Sequence, residues 1–139
     1  MSGQSNQRAR LRALAVVLVV PLVMAGGLGL LFWTRSVRTL GRIPSPDAKW
    51  TATVRVVNWG GYSTHISIER SDSWFPSRQS KVFVADDGGG AVPLGQTGEL
   101  AVGLRWEGSA RVVISYPAKA RIYRKELEVG PVGVAYNPQ

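Results

Sequence analysis

An uncharged apolar run of 21 residues, from Ala13 to Trp33, constrains this chain more than any other sequence feature. At a rise of about 1.5 Å per residue, a helix of this length spans roughly the 30 Å hydrocarbon core of a bilayer. Phe32 and Trp33 end the run where aromatic side chains commonly meet the membrane interface, and Arg35 follows. The run therefore predicts a transmembrane helix over residues 13–33, with the lipid bilayer as a partner.

A cleaved signal peptide is the alternative interpretation of this run. The preceding tail, residues 1–12, is basic, and the small residues near Ala25 resemble a cleavage site. We favour an uncleaved signal anchor because the apolar run continues to Trp33. The charges on the two sides nearly balance, but a long C-terminal domain translocates largely regardless of charge. We therefore expect a single-pass protein of the cell or plasma membrane whose C-terminal domain is extracytoplasmic.

Small residues recur along one face of the predicted helix. Pro21, Ala25 and Gly29 are spaced by four, which would allow another helix to approach closely. This face suggests an alternative function, an accessory subunit bound to a larger membrane complex through its transmembrane helix. Small residues are also simply common in membrane helices.

The sequence after the apolar run changes character twice. Residues 34–46 lack an apolar period and end in Pro-Ser-Pro, which predicts a basic stalk. Residues 47–139 alternate between apolar and polar side chains, which indicates a β domain. Turn residues at Asn58-Trp59-Gly60-Gly61 predict a hairpin between the first two strands. We expect a mainly β fold in which the N-terminal transmembrane helix precedes a small antiparallel sandwich or barrel-like domain.

The alternation also predicts which side chains form the core of the β domain. These are residues on one face of each expected strand. The predicted core comprises Trp50, Val54, Val56, Ile66, Ile68, Val82, Val84, Leu100, Val102, Leu104, Trp106, Val112, Ile114 and Tyr116.

Several short motifs resemble a group of small bacterial proteins. Ser45-Pro46-Asp47-Ala48-Lys49-Trp50 resembles an SPDGKW-like strand opening, and a VFVAD-like strand follows at Val82 to Asp86. This pattern is similar to that of uncharacterised single-pass membrane-anchored proteins with a compact β domain, although Ala48 stands where they usually have glycine. The resemblance implies a fold and no particular chemistry.

The composition argues against several kinds of chemistry. The 139 residues include no cysteine, which excludes thiolate metal sites and cysteine nucleophiles. Lys and Arg number 17 against 9 Asp and Glu, but six of the arginines flank the apolar run, so we expect no nucleic-acid partner. Asp86-Asp87-Gly88-Gly89-Gly90 lacks the spacing of known calcium loops, so we interpret it as a turn. We expect no metal and no small-molecule cofactor.

His65 is the residue that would act in catalysis if the chain were an enzyme. It lies two residues from Ser63 and from Ser67 on one strand face, where we expect side chains about 7 Å apart, too far for ready proton transfer. An enzyme of unknown class is therefore the least favoured alternative. We expect a binding or structural module of the cell envelope, and no catalytic residues.

Aromatic residues outside the core pattern are the candidate contact surface. Trp59 lies at a predicted hairpin tip, and Trp74 and Phe75 lie in a loop with Arg70 and Arg78. Exposed tryptophan beside arginine is typical of interface hot spots, and the partner would be another membrane or envelope protein or a surface polymer. Alternatively, Trp74 and Phe75 plug the end of the β core.

The predicted topology is testable by protease treatment of intact cells or spheroplasts. We expect the chain to stay full length in membranes and the domain after Trp33 to be digested from outside. Protection of that domain, or a mature form that begins near Gly26, would contradict the expected topology.

Overall fold

The computed structural model describes residues 36–72 and 80–139, and these form nine β-strands. The predicted helix at 13–33, its small-residue face, and Trp74, Phe75 and Arg78 lie outside the described residues. The two described ranges contain no helix with the length and apolarity that a membrane crossing requires. The strands are β1 Ser36–Pro44, β2 Trp50–Asn58, β3 Tyr62–Arg70, β4 Ser80–Asp86, β5 Gly103–Trp106, β6 Arg111–Tyr116, β7 Arg121–Lys125, β8 Glu128–Val129 and β9 Val132–Pro138.

The strands are arranged in two sheets that share one hydrophobic core. The five-stranded sheet has the order β1-β2-β3-β4-β7, and the four-stranded sheet has the order β5-β6-β9-β8. Neighbouring strands are antiparallel in the described part of the chain except β6 and β9, which are parallel. Buried side chains from both sheets form the core, so the mainly β prediction is confirmed and the layers are those of a sandwich.

Strand β1 corrects the prediction of a basic stalk over residues 34–46, because most of this range belongs to the β domain. Ser36–Pro44 pair with β2 along their whole length, with a bulge between Thr39 and Gly41. Most side chains of β1 are exposed because it is an edge strand. An edge strand without a buried face has no apolar period, which is why the sequence pattern missed it.

The SPDAKW motif forms the turn between β1 and β2. The backbone N–H of Ala48 donates to the carbonyl of Ser45 at 2.8 Å, and the Ser45 hydroxyl donates to Asp47 Oδ1 at 2.7 Å. Ala48 has a φ of 57°, a left-handed conformation that costs an L-residue roughly 1–2 kcal/mol. The chain thus keeps a turn that glycine would adopt without strain.

A β-bulge in β4 sets which of its side chains face the core. Ile66 pairs with Phe83 and Ser67 pairs with Lys81, so Val82 is the extra residue. Val82 and Phe83 are both fully buried. Beyond the bulge the alternation is inverted, and Val84 lies on the outer face opposite His65. The prediction that Val84 belongs to the core is therefore wrong. Phe83, which was not predicted as a core residue, is buried instead.

Three aromatic rings join the two sheets around Phe83. Its ring centroid lies 5.2 Å from Tyr116 of β6 and 6.0 Å from Tyr136 of β9. The Tyr136 hydroxyl lies 2.7 Å from the carbonyl oxygen of Val82 and 2.6 Å from that of Glu126. Burial raises the pKa of Tyr136 to about 12, so this hydroxyl keeps its proton as a donor.

A second link between the sheets is made by Trp106 in β5. Its indole Nε1–H donates to the carbonyl of Ile43 in β1 at 3.0 Å. Trp106 is only partly buried, as are Trp50, Val102 and Leu104 of the predicted core. The remaining predicted core residues are buried as expected; they are Val54, Val56, Ile66, Ile68, Val82, Leu100, Val112, Ile114 and Tyr116.

The bulge predicts losses of very different size for two adjacent truncations. Phe83→Ala should lower the free energy of unfolding by about 3–5 kcal/mol, because it removes a buried ring between the sheets. Val84→Ala should lower it by about 1 kcal/mol or less, because Val84 lies on the outer face. Urea denaturation of the full chain in detergent measures both. Similar losses for the two variants would contradict the assigned register.

Candidate functional site: the tip surface and the outer groove

Trp59 lies at the tip of the hairpin between β2 and β3. Asn58 pairs with Tyr62, and the backbone N–H of Trp59 donates to the carbonyl of Gly61 at 3.0 Å. Gly60 has a φ of 71°, which tight turns require and side-chain-bearing residues rarely adopt. The turn leaves the Trp59 side chain 62% exposed, in agreement with its predicted place at a hairpin tip.

Two further exposed aromatic residues lie at the same end of the sheet as Trp59. Tyr62 is 43% exposed and Tyr123 is 59% exposed, and both line a cavity of about 470 Å³ with Trp59. We call Trp59, Tyr62 and Tyr123 the tip surface. A methyl group at Gly98 would clash with the Tyr62 ring, so this glycine allows the ring to lie against the neighbouring loop.

A hydrogen-bonded cluster around Asp86 holds Tyr123 in position. Arg121 donates from Nη2 to Asp86 Oδ2 at 2.6 Å and from Nε to Oδ1 at 3.2 Å. The Tyr123 hydroxyl donates to Oδ2 at 2.6 Å, and the Arg121 guanidinium lies 5.2 Å from the centre of the Tyr123 ring. The hydrogen bond from Arg121 lowers the pKa of Asp86 to about 2. The tip surface is therefore preorganised by an ionised carboxylate.

The loop after β4 folds as the predicted turn. The Asp87 carboxylate accepts hydrogen bonds from the backbone N–H groups of Gly89 and Gly90, each at 3.0 Å. Gly88, Gly89 and Gly90 all have positive φ, which explains the glycine run. Within residues 36–72 and 80–139, no three His, Asp or Glu side chains gather as a metal ion would require.

A groove runs over the outer face of the five-stranded sheet and begins at Trp59. Its volume is about 530 Å³, and we call it the outer groove. Three of its side chains, Arg55, His65 and Lys81, are basic, and the rest are hydroxyl-bearing or apolar. The outer groove is lined by Val37, Arg55, Val57, Trp59, Ser63, His65, Ser67 and Lys81.

The expected separation of Ser63 and His65 is wrong. The Ser63 hydroxyl lies 3.0 Å from His65 Nε2, because the two side chains lean toward each other along the strand. Burial, and then the charge of Lys81, lower the pKa of His65. Over the part of the chain that the structure describes, no carboxylate is hydrogen-bonded to His65. The pair therefore offers a hydrogen-bonding edge without the acidic partner of a catalytic triad.

The two predicted contact residues that the structure describes, Trp59 and Arg70, lie far apart. Arg70 lies at the opposite end of β3 from Trp59, roughly 27 Å away at the usual rise per strand residue. Its guanidinium is paired with Asp72 at 2.6 Å. Tyr123, Arg121 and Asp86 were missed, since the pairing of β4 with β7 brings them together. Tyr62 was also missed, although it lies three residues after Trp59 in the same hairpin.

The depressed pKa of Asp86 predicts a loss of stability in acid. An aspartate whose folded pKa lies near 2 rather than 3.8 contributes stability above pH 3.8 that is lost as the pH falls through about 2. Because Arg121 is exposed, we expect this contribution to be about 1 kcal/mol. Asp86→Asn should reduce the acid-induced fall in melting temperature, whereas Asp72→Asn, in an exposed ion pair, should change it little. An unchanged acid response of Asp86→Asn would contradict the assignment.

Comparison with known proteins found no relative of this chain. No family model, no curated protein and no solved structure matches the chain. Only the geometry of the candidate site therefore bears on its function.

Proposed function

We propose that the chain is a single-pass, membrane-anchored β domain that acts as a binding module of the cell envelope through its tip surface. The observation that carries the proposal is the group of three exposed aromatic side chains at one end of the five-stranded sheet. Large aromatic side chains supply contact area at a small cost in conformational entropy, and they dominate interface hot spots.

The surroundings of the aromatic residues support a binding role. The Asp86 carboxylate and the Arg121 guanidinium fix Tyr123, and the hydrogen-bonded turn at Gly60 fixes the backbone of Trp59. A surface that is ordered before it meets a partner loses less entropy on binding. Leu127 is more exposed, at 72%, but it does not line either cavity described above.

The location is proposed from the sequence. The apolar run at 13–33 would anchor the chain, and the long C-terminal domain would lie outside the cytoplasm. An accessory subunit held through Pro21, Ala25 and Gly29 is the alternative, and it would not need the tip surface. The two proposals therefore differ in which part of the chain a partner requires.

A double variant of the tip surface tests the proposal. Trp59→Ala with Tyr123→Ala should abolish copurification of the native partner in mild detergent while the melting temperature changes by only a few degrees. Leu127→Ala, which truncates an even more exposed apolar side chain elsewhere, should retain the partner. Mass spectrometry and carbohydrate analysis of the purified material measure the loss.

A partner kept by the double variant but lost when Ala25 and Gly29 are changed to leucine would contradict a binding role for the tip surface. That result would instead support the accessory-subunit alternative, because leucine blocks close helix approach.

A further inference from the structure

The tip surface and the outer groove form neighbouring parts of one face. Trp59 and Ser63 line both cavities, so a ligand that extends beyond one can enter the other. The tip surface offers aromatic rings, whereas the outer groove offers basic and hydroxyl groups. An elongated ligand on this face would meet both kinds of group in succession.

We propose that the outer groove binds an acidic sugar unit of a glycan chain whose adjoining sugar rings stack on the tip surface. This inference rests on the proposed binding function and adds the chemical class of the ligand. Lys81 and His65 would face the anionic group, and Ser63 would face a sugar hydroxyl.

The charges of the outer groove favour an anion. Lys81 is exposed and, within the described ranges, has no ion pair. Arg55 already has a carboxylate nearby, since its Nη2 lies 3.4 Å from Glu69 Oε1. We therefore assign the anionic group to Lys81 and His65, with Arg55 adding to the positive field. Hydrogen bonds to charged groups are stronger than neutral ones, which makes this part of the site selective.

The hydrogen-bonding groups of the outer groove are held before any ligand arrives. Ser63 and His65 orient each other at 3.0 Å, and Ser67 lies opposite Thr53 on the paired strand. Hydroxyl and imidazole groups can both donate and accept, as sugar hydroxyls do. Because Ser63 and His65 lie two residues apart on β3, their spacing is fixed by the strand.

The position of the outer groove on a sheet face favours a glycan over a peptide. Strands β2, β3 and β4 each pair on both sides, so their backbone groups are used within the sheet. A bound peptide commonly gains affinity by extending a free strand edge, which this face lacks. Of the two free edges of this sheet, β1 carries a bulge, two arginines and Pro44, and β7 carries a register shift, two arginines and a lysine, features that discourage strand addition. Side-chain hydroxyls and exposed aromatic faces remain, and these match sugar rings.

His65 gives the proposed site a pH dependence of known sign. Arg55 from β2 and Lys81 from β4 face it, and Glu69 lies on its own strand. Because burial and Lys81 lower its pKa, the free protein holds His65 mostly neutral at pH 7. A bound anion favours the protonated imidazole, so binding takes up a proton. The affinity for an acidic ligand should therefore rise as the pH falls.

Calorimetric titration of the full chain in detergent with a matched ligand pair tests the inference. The probes are a hexasaccharide of alternating glucuronate and N-acetylglucosamine, and the same hexasaccharide with its carboxyl groups reduced to alcohols. The wild-type chain should bind the acidic form about tenfold more tightly, the effect expected of a hydrogen bond to a charged group. Lys81→Gln should remove most of this preference. Lys49→Gln should keep the preference, because Lys49 is exposed and directly precedes β2, at the end of that strand far from Trp59.

The His65→Gln variant supplies the second readout. It should abolish the rise in affinity for the acidic hexasaccharide between about pH 8 and about pH 5. Unchanged circular dichroism of each variant establishes that it is folded.

Three results would overturn the inference. These are equal affinity for the two hexasaccharides, an acidic preference that survives Lys81→Gln, and tighter binding of hexaglutamate peptide or of anionic phospholipid vesicles than of the acidic hexasaccharide. None of them bears on the loss of a native partner by the Trp59→Ala, Tyr123→Ala variant, so the binding function can stand when the glycan assignment fails. Loss of the partner together with a Lys81-dependent acidic preference supports both.

Discussion

The β-bulge at Val82 is the constraint on which both the core and the candidate site depend. Without the extra residue, strict alternation would turn Val82, Val84 and Asp86 toward the core. With it, Phe83 and Ala85 face inward, and Asp86 faces outward opposite Ser63. The bulge also frees the carbonyl of Val82, which accepts hydrogen bonds from the Glu126 backbone N–H and the Tyr136 hydroxyl. The single inserted residue thus places Phe83 between the two sheets and places the Asp86 carboxylate on the outer face.

The two faces of the five-stranded sheet have different roles in this account. The inner face carries the buried residues that hold it to the four-stranded sheet through Phe83, Tyr116 and Tyr136. The outer face carries polar residues that the core does not need, such as His65 and Lys81. Since the inner face supplies stability, side chains of the outer face can serve binding without weakening the fold.

Side-chain alternation predicted the β domain, its first hairpin and most of its core, and its failures have physical causes. The hairpin of β2 and β3 was recognisable because one face is apolar and the Asn58 to Gly61 turn is explicit. β1 was missed because its side chains are exposed on both faces. The bulge was missed because Val82 and Phe83 are both apolar, so either could have been the inward residue.

The candidate site was predicted in part. Trp59 followed from its place between Asn58 and Gly60, and its exposure agrees with that prediction. Its partners could not be found by spacing, since Asp86 and Arg121 are 35 residues apart and meet only through the pairing of β4 with β7. The Ser63 and His65 side chains lie closer than an ideal strand predicts, because their rotamers lean along the strand. Side-chain rotamers of this kind cannot be predicted from a sequence pattern.

The most direct test of the account is a two-dimensional NMR titration of the isotope-labelled full chain with the acidic hexasaccharide. The account predicts that the largest shifts fall on the Trp59 indole N–H and on the backbone amides of Ser63, His65 and Lys81. Signals from the outward side of the four-stranded sheet, such as Val113 and Ala135, should stay in place. Shifts centred on that sheet or on the β1 edge, with the Trp59 indole unmoved, would contradict it.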